Sequence, residues 1–239
     1  MGRNKGWLPL SAIYCLTLGT LLLAVIWGSR AVTVISENLP VSRNRCVIID
    51  AGHGGVDGGA TSCTGVLESQ FNLEISLRLN DLMHLMGYST KMIRTEDISV
   101  YTEGETIAQK KVSDLKQRLR IAKEAENALY ISIHQNYFSD SRYSGAQVFY
   151  PGTPGSSTLA KLLQSNFKRT LNPKSNRDVK QAKGVYLMEN LPCTGVLIEC
   201  GFLSNHEEEA KLRSKDYQQK LCCVIACTVA EYCKNNEHA

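Results

Sequence analysis

The sequence predicts a single α/β domain built on a mixed, mostly parallel sheet of about six strands, flanked by helices on both faces. The first supporting observation is that short apolar runs, such as CVIID at 46–50 and VLIE at 196–199, alternate with longer stretches of helical periodicity. The second is that several of these runs are continuous and rich in β-branched residues. Such runs are typical of strands that are buried on both faces.

The composition is that of one ordinary globular domain. At 239 residues the chain can bury a sizeable core, and its 43% hydrophobic and 21% charged content excludes a wholly disordered protein. The formal net charge is +4, but Arg3, Lys5 and Arg30 supply three of those charges, which leaves about +1 on the rest of the chain. A nearly neutral body lacks the basic surface that holds a phosphate backbone, so nucleic acid is not an expected partner.

The N-terminus carries a membrane-directed segment. Residues 8–27 run for twenty positions without a formal charge, long enough to span the roughly 30 Å hydrocarbon core of a bilayer. Basic residues precede this run, so the positive-inside rule predicts export of the remaining chain to the extracytoplasmic, cell-wall side. We therefore assign 1–30 as a membrane anchor or signal segment and 31–45 as a polar tether. Cleavage stays open, although 28–31 is not a clean small-x-small cleavage site.

The secondary-structure elements follow one another in a regular order. Strands are predicted at 46–50, 88–94, 129–134, 146–150, 185–188 and 196–199. Apolar spacing predicts helices at 68–86 and around 115–122, 159–167 and 221–232. The polar stretch 99–113 is interpreted as a surface loop. The last helix also carries a group of cysteines, interpreted as small core residues rather than a metal site: Cys222, Cys223, Cys227 and Cys233.

Acidic or imidazole side chains stand at four points where predicted elements end or begin. His53 lies in the glycine-rich turn after the first strand, and His134 closes the third strand. Glu68 opens the first helix, and Glu199 closes the last strand. Ligands of open α/β sheets bind beyond the carboxyl ends of the strands, so these side chains can converge at one edge of the sheet. Each alone has a structural explanation, such as a hydrogen bond or an ion pair, and only the joint pattern indicates a site.

The types of these residues indicate a chemistry. Two imidazoles and a carboxylate are typical of catalytic zinc, because they leave a fourth coordination position open for water. A second carboxylate beside such an ion can take the proton of that water. Rival motifs fail, because Asp57 occupies the third glycine position of a G-x-G-x-x-G loop and Ala210 replaces the second histidine of H-E-x-x-H. The residues therefore point to one catalytic zinc ion.

Four segments of the chain stand out together: VIIDAGHGGVDGGA, GVLESQFNL, ISIHQN and VLIECGFLSNHEEEAKL. From about residue 46 to 233 the chain resembles the zinc-dependent N-acetylmuramoyl-L-alanine amidases of the amidase-3 family. The resemblance implies that 46–239 is the catalytic domain and that Glu199 is the catalytic carboxylate. It also implies the ligands of one zinc ion, which are His53, Glu68 and His134. Finer features, including YSGAQVFYPG, resemble the germination-specific spore-cortex members of the family.

The resemblance further implies a substrate, a setting and partners. A family member of this kind cleaves the amide bond between N-acetylmuramic acid and L-alanine in peptidoglycan, which removes stem peptides. In spore cortex, at the forespore envelope, this is the expected first step toward the muramic-δ-lactam that germination needs, with a deacetylase acting next. Some relatives work with a lipoprotein partner. Two alternatives stay open: a zinc peptidase that cuts within the stem peptide, and a catalytically silent peptidoglycan-binding scaffold.

Overall fold

The computed structural model describes residues 45–236, which form alternating strands and helices. The strands in this range are β1 (Cys46–Ala51), β2 (Ser89–Met92), β3 (Ala128–Asn136), β4 (Gln147–Tyr150), β5 (Lys180–Gln181) and β6 (Thr194–Phe202). The helices are α1 (Glu68–Leu85), α2 (Ile107–Glu124), α3 (Ser156–Thr170), α4 (Tyr186–Glu189), α5 (His206–Arg213) and α6 (Lys215–Asn235).

The strands form one mixed sheet in the order β2-β1-β3-β6-β4-β5. Strand β4 runs antiparallel to β6, and the other neighbouring pairs are parallel. The predicted fold class and the predicted strand number are therefore confirmed within the described range. Since β1, β3 and β6 are adjacent and parallel, their carboxyl ends meet at one edge of the sheet.

Both faces of the sheet are covered, as the continuous apolar strands predicted. In β3, Leu129, Ile131 and Ile133 pack into a core that includes residues of α1, α3 and α6. Tyr130, on the opposite face, packs with residues of α2 and α4. Because side chains alternate along a strand, consecutive apolar residues supply both cores at once.

One strand prediction is wrong. Residues 185–188 do not form a strand, because Tyr186–Glu189 is a single helical turn whose Leu187 and Met188 are both buried. The remaining strand of the sheet is Lys180–Gln181, two exposed residues that pair with the end of β4. A short apolar run such as 185–188 has no periodicity that separates a strand from a buried helical turn. Strand β5 was missed because both of its residues are polar, so it has no apolar pattern.

The interpretation of 99–113 as a loop is correct only in its first half. Helix α2 begins at Ile107, where Thr106 and Gln109 form a reciprocal capping box. Most residues of this first turn are exposed, including the apolar Ile107 and Ala108, so the turn lacks the buried apolar face whose spacing predicts a helix. A further helix, α5, was not predicted; its N-cap is Asn205, whose side chain accepts hydrogen bonds from two backbone N–H groups.

The cysteines of α6 divide between core and surface. Cys222 and Cys233 are buried as expected, but Cys223 and Cys227 are exposed, so their interpretation as core residues is wrong. Because 3.6 residues make a turn, four cysteines at these positions cannot all face the sheet.

The predicted membrane segment 1–30 lies outside the described residues, as does 31–44 of the tether. In the described part of the chain, no helix combines the length and hydropathy that a bilayer crossing requires.

Candidate metal centre

The turn after β1 holds His53 in an uncommon backbone conformation. Its φ angle is 61°, in the left-handed region that residues other than glycine rarely adopt. The two residues that follow, Gly54 and Gly55, also have positive φ angles. Two backbone hydrogen bonds close the turn, from Gly54 N–H to Asp57 O at 2.7 Å and from Asp57 N–H to Gly54 O at 3.2 Å. Arg118 Nη2 donates to His53 O at 2.9 Å. These contacts hold the backbone of His53 in its strained conformation and so fix where its imidazole starts, as is common at functional sites.

Glu68 is the first residue of α1 and is buried at the edge of the sheet, with a side chain only 5% exposed. Its Oε1 accepts hydrogen bonds from Asn72 Nδ2 at 3.2 Å and from Gln135 N–H at 3.1 Å, and its Oε2 accepts one from Ala60 N–H at 3.0 Å. Burial acts to raise the pKa of this carboxyl, but contacts with His134 and His53 outweigh burial and hold the pKa well below its usual range. The carboxylate is therefore charged and fixed.

Three predicted site residues meet at this carboxylate. His53 Nε2 lies 3.2 Å from Glu68 Oε2, and His134 Nδ1 lies 2.9 Å from Glu68 Oε1. One donor atom from each residue lies within 4.8 Å of the other two. The two imidazoles meet edge to face with centroids 4.9 Å apart. The approach of His134 depends on Gly52, because a Cβ at that position would collide with the His134 ring.

Asp57 orients His53 from the side away from the cluster. Its Oδ2 lies 2.9 Å from His53 Nδ1, and Lys111 Nζ lies 2.9 Å from its Oδ1. Burial disfavours the charged imidazole, but hydrogen bonds with Asp57 and Glu68 raise the pKa of His53 to about 9. A carboxylate on the far nitrogen is the usual partner of a metal-binding imidazole. Sequence reasoning missed this role, although Asp57 lies four residues after His53 in the same turn.

Glu199 lies on β6 as the direct parallel partner of His134 on β3. Its Oε2 is buried and has no hydrogen-bond partner among residues 45–236. Burial raises the pKa of the Glu199 carboxyl to about 7, with the nearby Glu68 charge acting in the same direction. The predicted convergence is thus seen in the structure: three residues form the donor cluster, and the fourth stands on the neighbouring strand.

The donor set fits a zinc ion. Two imidazole nitrogens and one carboxylate oxygen are a common set of three protein ligands for zinc, and the partners around Glu68 and His53 are those that orient such ligands. A cavity of about 340 Å³ opens beside the cluster. Its polar lining includes His53, Asp57, Lys111, Asp114, Arg118 and His134.

A buried ion pair forms the floor of this cavity. Asp50, the last polar residue of β1, pairs with Arg118 of α2, and Ser132 Oγ donates to Asp50 Oδ2 at 2.7 Å. Arg118 Nε also donates to Asp114 Oδ2 at 2.5 Å. Both Asp50 and Arg118 are about 2% exposed or less. Sequence reasoning missed the pair, because Arg118 sits in a charged helix and its partner lies 68 residues away.

A second buried arginine ties the His53 turn to α1. Arg94 Nε donates to Ala51 O at 2.9 Å, and its Nη2 donates to Gly52 O at 3.1 Å and to Ser69 O at 2.8 Å. Asn72 Nδ2 reaches the same Gly52 carbonyl at 3.1 Å. The turn that carries one imidazole and the helix that carries the carboxylate are therefore held as one unit.

Comparison with known proteins places this site in a family. The amidase-3 model, described as N-acetylmuramoyl-L-alanine amidase, matches residues 47–231. The germination-specific N-acetylmuramoyl-L-alanine amidase of Bacillus subtilis strain 168 is 36% identical over 197 residues, which cover 82% of this chain and 82% of that relative.

Solved structures share the fold over the same region. The CwlD amidase from Clostridioides difficile, solved in complex with the GerS lipoprotein, superimposes with a TM-score of 0.77 and 36% identity over 81% of this chain and 100% of its own. The N-acetylmuramoyl-L-alanine amidase from Clostridium difficile 630 superimposes with a TM-score of 0.69 and 28% sequence identity, over 82% of this chain and 100% of its own. This chain belongs to the amidase-3 family of N-acetylmuramoyl-L-alanine amidases.

Proposed function

We propose that this chain is a zinc-dependent hydrolase that cleaves the amide bond between the lactyl group of N-acetylmuramic acid and L-alanine in peptidoglycan. His53, Glu68 and His134 hold one zinc ion, and Glu199 is the catalytic carboxylate. The observation that carries the proposal is the cluster of three donor atoms within 4.8 Å, with a carboxylate on the next strand whose buried oxygen has no partner in the described range.

The roles divide among the residues by their surroundings. When bound, a zinc ion supplies Lewis acidity, which polarises a carbonyl oxygen and lowers the pKa of a water molecule. Glu68 offers a charged, fixed oxygen because its other contacts come from backbone and amide N–H groups. Asp57 holds the Nδ1 of His53, so that Nε2 faces the cluster. These contacts orient Glu68 and His53 as metal ligands.

Glu199 moves the proton. Its carboxylate takes a proton from the water that attacks the lactyl carbonyl carbon, and the carboxyl then passes that proton to the L-alanine nitrogen as the C–N bond breaks. The products are a free lactyl carboxylate on the glycan and a peptide with a free L-alanine amino group. A half-buried carboxyl whose Oε2 has no hydrogen-bond partner in the described range is suited to both halves of this transfer.

We further propose a setting for this reaction. The Bacillus subtilis relative is named for germination, which supports a role in spore-cortex remodelling, where removal of the stem peptide precedes a deacetylase and muramic-δ-lactam closure. The similar Clostridioides difficile amidase was solved with a lipoprotein, which supports a lipoprotein partner here. Residues 1–30 export or anchor the chain, 31–45 tether it, and 46–239 act on the wall outside the cytoplasm.

Metal analysis and product analysis test the proposal. We expect about one zinc ion per full-length chain and loss of that zinc in a His134→Ala variant that keeps its fold. Digestion of cortex-type peptidoglycan should release peptides with a new L-alanine amino terminus and leave peptide-free glycan. New amino termini elsewhere in the stem would instead identify a peptidase, and bound zinc without any product would identify a silent scaffold.

A further inference from the structure

The loop between β3 and β4 keeps three aromatic side chains in solvent. Tyr137 is 53% exposed, Phe138 49% and Tyr143 47%. We call residues 137–145 the aromatic loop. It begins three residues after His134, at the carboxyl end of β3, so the Cα atom of Tyr137 lies within about 11 Å of that of His134. The first residue of the loop therefore lies near the candidate metal centre.

The exposed rings rest on a firm base. Phe138 meets Tyr143 edge to face with centroids 4.9 Å apart, and Tyr143 stacks on the buried Phe202 at 6.2 Å. The guanidinium carbon of Arg177 lies 4.4 Å from the centroid of Phe202 and 5.7 Å from that of Tyr143. One side of the ring cluster is thus supported, and the other side faces solvent.

The main chain of the aromatic loop is pinned from below. Asn205 Nδ2 donates to Ser141 O at 2.8 Å and to Tyr143 O at 3.2 Å, and Arg177 Nε donates to Ser144 O at 2.8 Å. Glu208 Oε2 accepts from Gly145 N–H at 2.7 Å. These bonds order the loop without covering its rings. A pinned loop that still exposes apolar rings is typical of a binding surface.

The size and chemistry of the surface favour one kind of occupant. A fully buried aromatic side chain contributes about 150–250 Å², so three half-exposed rings offer far less than the roughly 800 Å² per partner of a stable protein interface. Ser139, Asp140 and Arg142 lie in the same loop and are polar. A ligand with an apolar face and a hydroxyl rim matches this mixture, and a pyranose ring has that shape.

We propose that the aromatic loop is a glycan subsite, on which a sugar ring of the peptidoglycan strand stacks next to the muramic acid whose amide bond is cleaved. This inference rests on the proposed function, because it assumes that the cavity beside His134 receives the muramoyl group. The loop then favours polymeric glycan over a single muramoyl-peptide, since only the polymer reaches both the cavity and the rings.

Substitution of the rings separates this role from catalysis. We expect Phe138→Ser and Tyr137→Ser in the full-length chain to raise KM for polymeric peptidoglycan three- to tenfold and to leave kcat and the rate on a monosaccharide muramoyl-peptide unchanged. Phe138→Tyr keeps a ring and should keep the wild-type KM. The matched control is Leu85→Ala, at a 79% exposed apolar residue at the far end of α1. This variant should change neither KM nor kcat for either substrate.

A binding assay makes the inference independent of turnover. Peptide-free glycan strands should bind the wild-type chain, and binding should weaken in Phe138→Ser, with an unchanged melting temperature as evidence of an intact fold. If glycan binds in this way but no amide is cleaved, the proposed function fails, and the aromatic loop stands as a glycan-binding surface without an adjoining amidase site. Equal effects on polymer and monosaccharide, or unchanged glycan binding, would overturn the subsite. Unchanged glycan binding together with loss of a lipoprotein contact would assign the loop to a protein partner.

Discussion

His134 and Glu199 face each other across the parallel ladder of β3 and β6. They are direct Cα partners, and the register of the ladder shifts immediately afterwards, between His134 and Asn136. Paired residues of neighbouring strands project to the same face of a sheet. The imidazole of His134 and the carboxylate of Glu199 therefore belong to one face, and the buried apolar pairs below them, such as Ile133 with Ile198, set their register.

Removal of the Glu199 carboxylate should separate catalysis from metal binding. We expect Glu199→Ala to lower kcat by at least roughly 10²- to 10⁴-fold, because the proton acceptor is lost, while zinc content stays near one per chain. Amidase assays and metal analysis on the same sample check both parts. Loss of zinc together with activity in a folded variant would show that Glu199 is a ligand instead.

Asp57 should control zinc affinity through His53. We expect Asp57→Asn to weaken zinc binding by about 10- to 100-fold, because the neutral amide no longer fixes the charge and orientation of the imidazole. Competition with a chelator measures the change. Glu96→Gln, an exposed acidic residue at the same edge of the fold, is the control and should keep wild-type affinity. Equal affinities for Asp57→Asn and wild type would remove Asp57 from the site.

Gly52 should be intolerant of any side chain. A Cβ at Gly52 would overlap the His134 ring, so Gly52→Ala must displace the imidazole from the cluster. We expect loss of zinc and of activity with secondary structure preserved by circular dichroism. Gly152→Ala is the control, because its Cβ would meet no described atom closer than 3.7 Å. Normal zinc binding in Gly52→Ala would contradict the close approach seen here.

The buried Asp50–Arg118 pair should contribute to stability. We expect Asp50→Asn to lower the free energy of unfolding by about 3 kcal/mol at pH 7, because it leaves the buried guanidinium with one carboxylate fewer. Urea denaturation measures the difference. Glu124→Gln, which breaks the exposed pair between Arg120 and Glu124, should cost less than about 0.5 kcal/mol. Similar losses of unfolding free energy in the two variants would mean that the buried Asp50–Arg118 pair contributes no more to stability than an exposed pair.

The same pair predicts a dependence of stability on pH. Burial acts to raise the pKa of Asp50, but Arg118 and Ser132 outweigh burial and lower it below the ordinary value of 3.8. A carboxyl whose pKa is lowered by folding stabilises the fold above its unfolded pKa, and that contribution is lost as the pH falls through the folded value. The stability gap between wild type and Asp50→Asn should therefore narrow below about pH 4. A gap that stays constant down to pH 2 would contradict this assignment.

Much of the fold could be predicted from local patterns. The buried strands β1, β3 and β6 are continuous apolar runs, and α1 has a clear helical period, so each carries its signal within a few residues. Strand β5 and the first turn of α2 could not be predicted in this way, because most of their residues are exposed and only backbone pairing or capping defines them. The run 185–188 was wrongly predicted as a strand because it does carry an apolar pattern. A buried helical turn needs the same apolar residues as a buried strand, so the pattern does not separate the two.

The sequence by itself determined the family, the fold class and four candidate site residues next to apolar runs. Glu68 begins α1 as predicted, but His134 and Glu199 do not close their strands, because β3 continues to Asn136 and β6 to Phe202. The types of the four residues and their places next to apolar runs are local properties, and they are sufficient to predict a convergent site. Only the tertiary structure decided which groups surround them. Asp57 turns one imidazole, Asn72 and Gln135 fix the Glu68 carboxylate, and Arg118 meets Asp50 from a distant helix. Gln135 and Arg118 lie 67 and 68 residues from their partners, whereas Asp57 and Asn72 lie only four residues away. In each case, whether the polar side chain faces solvent or a buried partner is settled by how the turn and the helices pack on the sheet.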